Sequence, residues 1–350
     1  MKDPEAKEIN LWKIATPVVI GLSVSLYLIF QNFSLAALQS IHFSEKLVGG
    51  LLLAVLTIVI RDGAFMYKVR LSTGSKITWK KTFQTITMWE FMACIAPKVA
   101  ETPFVVFVLK NSGLTYGKSV AVLMLNVFFD NLAFVVVFAV LYLIRGENML
   151  LFSAHCPDLE GHAIMLGIRN VAEKAWIGYL VILLFCAFIG IALFLLPYTT
   201  KKFFTYLASF SFFARFKSKL LVFGDDIEMT AQEFKNQSTS FWVKMTVASF
   251  INWTCRYLLA NAVLYAFSNI DLNMLEIFSR QYVLWVFTSI PSTPGSSGVA
   301  ELSFNALNCE FMPEGLSGAI TLVWRIYSYY FYIILGMLLL PKWVKQIAKS

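Results

Sequence analysis

The 350 residues are 58% hydrophobic and 16% aromatic, and only 14% are charged, against about 25% charged in soluble domains. That balance excludes a soluble two-domain enzyme, although the length alone would permit one. The formal net charge of +8 is not gathered into a compact patch for nucleic acid; the basic residues flank apolar segments, as the positive-inside rule predicts.

In chain order, six segments are long and apolar enough to span a bilayer: roughly 12–31, 46–66, 119–144, 176–197, 241–267 and 317–340, each near the requirement of about 20 residues. The first has no short apolar core with a small-x-small cleavage site after it, so it reads as a transmembrane helix rather than a cleaved signal. Two regions behave differently. Residues 82–109 hold two short apolar pieces split around Pro97 and Pro103, and residues 277–311 hold two more split at Pro291-Ser292-Thr293-Pro294-Gly295-Ser296-Ser297-Gly298. Each piece is too short to cross comfortably. Such pieces suit re-entrant hairpins, whose broken backbone is tolerated only inside protein or against a water-filled cavity. The predicted fold class is an all-α polytopic membrane protein with six full spans and two re-entrant hairpins; eight full spans is the alternative.

With the N-terminus in the cytoplasm, 21 basic residues fall inside and 4 (Lys46, Arg145, Arg169, Lys174) outside. That asymmetry places both termini in the cytoplasm. The chain reads as one integral membrane domain, 1–350, with candidate repeat halves 1–145 and 176–350 of inverted topology, an architecture that puts a transport site near the midplane. Residues 198–240 form a cytoplasmic interfacial segment. Within it, aromatics from Phe203 to Phe216 interleave with Arg215, Lys217 and Lys219, as on a helix lying on anionic lipid. The acidic run Asp225, Asp226 and Glu228 reads as a solvated end. The loop 146–175 carries His155, Cys156 and His162 and reads as an ordinary polar loop. Five cysteines, odd in number and widely spaced, argue against a disulfide framework. No metal or cofactor pattern is present.

A charge at membrane depth costs about 2.5–3.5 kcal/mol on insertion scales. The acids to explain are Glu90, Glu101, Asp130 and Glu301; the bases are Arg61, Arg256, Arg280 and Arg325. Arg61 with Asp62 is the pair best suited to an interface. Asp130 and Arg325 sit inside long apolar runs. At the second break, Pro294 ends a helix, and Gly295, Ser296, Ser297 and Gly298 precede a new one beginning near Ser297 or Gly298. Its N-terminus would offer free N–H groups to an anion. Glu301, in the first turn, would suit the dipole, bind a cation or pair with an arginine. At the first break Lys98 is placed to meet a headgroup, and Glu101 to pair with Lys98, Arg61 or a second-half arginine. For each motif, turning a hairpin or capping a helix is the competing reading.

These motifs resemble the lysylphosphatidylglycerol synthase transmembrane-region family, over about residues 10–340. Arg61 matches an early arginine. Pro97, Lys98, Ala100 and Glu101 match a Pro-x-Arg-x-Gly-Glu-like motif loosely, and Asp130 fits an aspartate in the next long helix. Pro294, Gly295, Ser297, Gly298 and Glu301 lie in a Pro-x-Pro-Gly-Gly-x-Gly-x-x-Glu motif, and Arg325 fits a final arginine. Lys98 replaces the usual arginine, Ala100 the usual glycine, and Ser296 a second glycine. The resemblance implies a flippase-like transporter of the bacterial inner membrane rather than an enzyme, with membrane lipids as partners and no nucleic acid. A homodimer and a separately encoded lipid-modifying enzyme stay open as partners. The chain ends at Ser350 soon after its last span, so lipid aminoacylation by it is not expected. Arg256, Arg325 and Lys98 would contact phosphate, and Glu101, Asp130 and Glu301 would balance the arginines, bind an amine or carry protons. A proton- or ion-coupled small-solute transporter and a scaffold for a synthase are the alternatives.

Overall fold

The protein is described here from a computed structural model. It covers residues 43–96, 98–149, 174–195, 197–207, 209–210, 217–289 and 294–347, with isolated positions 23, 167, 170 and 172. The expected first span (12–31), the residues His155, Cys156 and His162, and most of the aromatic stretch between Phe212 and Phe216 lie outside the described residues.

Among the described residues the regular structure is all helical. The helices are α1 (Glu45–Ser72), α2 (Trp79–Ile95), α3 (Lys98–Asn111), α4 (Tyr116–Arg145), α5 (Ala175–Gly190), α6 (Pro197–Leu207), α7 (Lys217–Lys235), α8 (Thr239–Phe267), α9 (Met274–Ser289), α10 (Val299–Asn308), α11 (Ser317–Arg325) and α12 (Phe331–Ile347). One wide π-type turn, Ile191–Leu195, follows α5, and another, Ile326–Tyr330, joins α11 to α12. Ser44, Thr78, Thr115 and Ser238 start α1, α2, α4 and α8 by accepting a hydrogen bond from an N–H three residues on, which satisfies a donor that a helix start leaves open.

Four of these stretches are long and apolar enough to cross a membrane: Glu45–Ser72, Tyr116–Arg145, Ala175–Phe194 and Ser317–Lys345. Their outward faces stay apolar: Leu52, Leu56 and Val59 on α1, and Val181, Leu184 and Phe188 on α5, are all exposed. α8 is 29 residues long but is interrupted by Lys244, Asn252, Arg256 and Asn261, and is not among the four. It is instead the central post. Its residues enter all three apolar clusters of the core, and it packs antiparallel along α1. Lys46 at the start of α1 donates to the Ser268 carbonyl just past the end of α8 (2.6 Å). Gly50 permits the contact: a Cβ there would lie 2.6 Å from the Ala266 Cβ and 2.7 Å from its Cα.

The shorter helices form two antiparallel pairs. α2 and α3 turn back on each other at the break around Ala96 and are tied at their other ends, where Thr85 and Ser112 share a hydrogen bond (2.9 Å). α9 and α10 are closed at their far end by Arg280, which donates to the Leu307 carbonyl (2.7 Å) and pairs with Glu310. Arg280 also pairs with Glu276, which in turn meets Arg145 of α4. This buried arginine, visible in the sequence as a charge needing a partner, is a structural clamp.

One expectation is corrected and two are refined. Residues 203–222 are not one interfacial helix, since α6 ends at Leu207 and α7 begins at Lys217. The two helices pack on each other through Lys201, which binds both Asp225 and Glu228 at 2.9 Å. Asp225 is exposed, as a solvated run expects, while it pairs with Lys201, and the carboxylates, Glu228 first, push the Lys201 pKa upward. α7 also docks on the bundle, with Lys118 of α4 donating to Glu233 (2.5 Å) and Phe234 buried in the core. Finally, Cys309 is disulfide-bonded, whereas Cys94, Cys186 and Cys255 are free. Spacing alone does not reveal such a bond, because covalent pairing depends on proximity after folding.

Gly50→Val forces α1 away from the Ala266 backbone. The expected cost is about 1–3 kcal/mol, typical of overpacking, read as a lower midpoint for heat unfolding of the detergent-solubilised protein.

Candidate functional site

Charged side chains from α1, α2, α8 and α11, with a tyrosine from α12, converge where the two broken pairs meet. Arg61, mid-way along α1, is 4% exposed. Its guanidinium donates to Glu90 of α2 and to the Tyr332 hydroxyl of α12, and lies 3.4 Å from Asp62. The Tyr332 hydroxyl in turn donates a hydrogen bond to Asp62 (3.0 Å). The second Glu90 oxygen lies 3.4 Å from Arg256 of α8. One buried carboxylate thus bridges arginines from the two halves of the chain. The expectation of Arg61 at an interface is overturned: α2, α8 and α12 close around that turn of α1.

The second break behaves partly as the sequence implies. Gly298 caps α10, and Glu301 lies in its first turn. The anion at this helix start is Glu301 itself: one carboxylate oxygen accepts from the Gly298 N–H (2.7 Å), and the other accepts from Arg325 Nε (2.7 Å). A free ligand is therefore not needed at the α10 N-terminus; the helix dipole and Arg325 share the internal carboxylate. Ser297 donates to the Tyr329 hydroxyl (3.1 Å), and Ser296 donates to the Thr288 carbonyl (2.8 Å). Gly295 has φ +59°, and a Cβ on it would lie 2.6 Å from the Cys94 carbonyl and 2.2 Å from the Tyr329 ring. The second break therefore rests directly on the last turn of α2, beside the first break. Arg325 packs over the Tyr329 ring at 4.7 Å. Its Nη2 is buried and has no hydrogen-bond partner among the described residues.

A third pair lies towards the end of α1. Lys68, fully buried, pairs with Asp130 of α4. Asp130 thus pairs with a lysine amine. Next to it, Asn126 donates to Ser72 (3.0 Å).

Two cavities join these groups. The smaller, about 150 Å³, is lined by Arg61, Arg256, Arg325, Glu90, Gly295 and Ser296, among others. The larger, about 430 Å³, is lined by Glu101, Asp130, Asn131, Asn252, Trp253 and Arg256, among others. Glu90 and Arg256 belong to both walls. Of the residues singled out in the sequence, Arg61, Arg256, Gly295, Ser296 and Arg325 thus meet at the smaller cavity, and Glu101 and Asp130 meet Arg256 at the larger. Glu301, Ser297 and Gly298 stand behind the wall and hold it. The side chains of Lys98 and Pro294 lie outside the described residues. Sequence reasoning left Glu90, Lys68, Tyr329 and Tyr332 out of the site. Glu90 was visible as an acid inside Met88-Trp89-Glu90-Phe91. Lys68 was hidden among cytoplasmic basic residues, and an isolated tyrosine gives no signal.

A helical bundle with an apolar exterior and a buried, charge-lined interior defines a polytopic membrane protein with internal polar cavities. The sequence comparison places it further. Residues 14–336 match the family model of the lysylphosphatidylglycerol synthase transmembrane region, and the chain belongs to that family. It is also similar to a UPF0104 membrane protein of Archaeoglobus fulgidus, 27% identical over 101 residues, which is 29% of this chain and 30% of the relative. The match therefore spans under a third of that relative's length. No solved structure matches the chain.

Glu90→Gln leaves Arg61 and Arg256 facing each other without their shared counter-charge. A loss of about 3–5 kcal/mol, the usual result of unpairing a buried ion, is expected as a lower unfolding midpoint. Gln retains the size, so an unchanged midpoint would show that the bridge carries no net stabilisation.

Proposed function

We propose that this chain moves a phosphate-bearing lipid across the bacterial inner membrane, carrying the headgroup through the charged interior while the tails stay in the bilayer. The observation that carries this reading is the smaller cavity: three arginines are among its lining residues, and the buried Nη2 of one of them, Arg325, has no hydrogen-bond partner among the described residues. A phosphate accepts from several donors at once and suits such a wall. Membership of the family supports the reading.

The architecture is consistent with it. α2, α3, α9 and α10 are 17, 14, 16 and 10 residues long, all short of the roughly 20 needed to span. The free ends of the α2/α3 pair lie at the basic end of the bundle and those of the α9/α10 pair at the opposite end, and their breaks touch at Gly295 and Cys94. Two re-entrant hairpins entering from opposite sides, within an inverted repeat, would have this form. The disulfide at Cys309 falls at the Arg145 end, poor in basic residues; disulfides persist in oxidising compartments. That supports cytoplasmic termini. No chemical step is needed in this reading, and the chain acts as a transporter rather than an enzyme. A second reading, a proton-coupled transporter of a small solute, draws on the buried Lys68–Asp130 pair beside the larger cavity.

The test is movement of fluorescent phospholipids in proteoliposomes, followed by quencher accessibility. Wild type should exchange lipid in a headgroup-dependent way. Arg325→Lys keeps the charge but loses the second N–H group, and should slow exchange by about tenfold, the worth of one charge-assisted hydrogen bond. The double variant Glu301→Gln/Arg325→Met removes both charges together and should abolish exchange while eluting as a folded monodisperse protein. Wild-type rates in both variants, or no exchange by wild type, would overturn the proposal.

A further inference from the structure

The larger cavity carries information about the rest of the headgroup. Asn252 and Trp253 are neighbours on α8, 4% and 6% exposed, and both lie on its wall. The Asn252 Oδ1 acceptor and the Trp253 Nε1 donor are both buried and have no hydrogen-bond partner among the described residues. A buried polar group without a partner costs stability, so such atoms point to what fills the space. The two have opposite requirements. An ammonium only donates and cannot serve Trp253 Nε1. A phosphate only accepts and cannot serve Asn252 Oδ1. A hydroxyl does both.

The remainder of the wall agrees. Trp89, Trp253 and Trp285 contribute indole surface, and Glu101 and Asp130 contribute carboxylates. Apolar C–H faces alternating with hydroxyls are the surface of a polyol, and this wall offers both kinds of contact. Size separates the cavities as well. The smaller, at about 150 Å³, falls below the range of roughly 300–1,000 Å³ usual for ligand pockets and suits a single phosphoryl group. The larger, at about 430 Å³, falls within it. Arg256 stands on the wall they share.

We propose that the larger cavity is a polyol subsite. It takes the hydroxyl-bearing part of a phosphorylated headgroup, such as inositol, glycerol or a hexose, with the phosphate at Arg256 and the smaller cavity. This rests on the lipid-transport reading for the source of the ligand, but the subsite is tested by binding, without transport.

The measurement is equilibrium binding of dioctanoyl lipids to the purified full chain in detergent: phosphatidylinositol, phosphatidylglycerol, phosphatidylethanolamine and phosphatidic acid. Free inositol 1-phosphate is the competitor. Phosphatidylinositol or phosphatidylglycerol should bind about tenfold more tightly than phosphatidylethanolamine, the equivalent of one buried hydrogen bond. Trp253→Phe keeps the ring and loses the N–H; it should remove that preference while changing phosphatidylethanolamine affinity by less than about twofold. Asn252→Leu, close in volume, is the second variant if Trp253→Phe does not fold, and should also erase the preference. Equal affinity for inositol and ethanolamine headgroups in wild type, equal weakening of both in the variant, or no binding of any lipid overturns the subsite. Displacement by inositol 1-phosphate as strong as by the lipid keeps the subsite but assigns it to a soluble polyol phosphate, against the transport reading. Lipid binding with the predicted selectivity but no transbilayer movement likewise upholds the subsite and overturns transport alone.

Discussion

The interior is organised by one carboxylate. Glu90 receives Arg61 from α1 and lies beside Arg256 from α8. In a surrounding of low polarity, two guanidinium groups brought this close repel strongly unless a negative charge lies between them. That requirement holds α2 against α1 and α8, even though α2 is too short to be anchored by spanning. The close approach of α1 and α8 at Gly50 then sets the distance across which Glu90 must reach. Tyr332 extends the same network to α12 through Asp62, so a single buried bridge ties together the elements that frame both cavities.

The second break uses the same economy of charge. A helix starting inside a bundle leaves N–H groups that need acceptors. Glu301 supplies one from its own first turn and presents its other oxygen to Arg325. Arg325 is therefore anchored by Nε, and its Nη2 has no hydrogen-bond partner among the described residues. Without Glu301 the guanidinium would be an unpaired buried charge; without Arg325 the carboxylate would be. The wide turn at Ile326–Tyr330 follows directly and carries Tyr329, whose ring packs against Arg325 and whose hydroxyl accepts from Ser297. Such insertions in a helix often occur at functional positions.

Polar residues in the two cavities are thus of two kinds. Glu90 and Asp130, with Glu301 behind the wall, neutralise neighbouring cations. Arg325, Asn252 and Trp253 keep hydrogen-bonding atoms that have no partner among the described residues. Only the second kind carries information about a ligand, and the sequence cannot separate the kinds, because the difference is one of pairing rather than residue type.

What the sequence determined by itself was the class of solvent and the outline of the chain. Apolar runs of bilayer length, polar breaks at Pro97 and Pro294, and the unequal distribution of lysine and arginine are local properties, written in consecutive residues. Arg61, Asp130, Glu301 and Arg325 were identifiable because a charge within an apolar run is costly wherever the run goes. Which charges meet was decided only by tertiary structure. Asp130 found Lys68, 62 positions away, and Glu90 came within reach of Arg256 across 166. The Cys309 bond and the docking of α7 on α4 are of the same kind. Electrostatic pairing and covalent bonding depend on distance in space, and that distance is set by how the helices pack, not by their order along the chain.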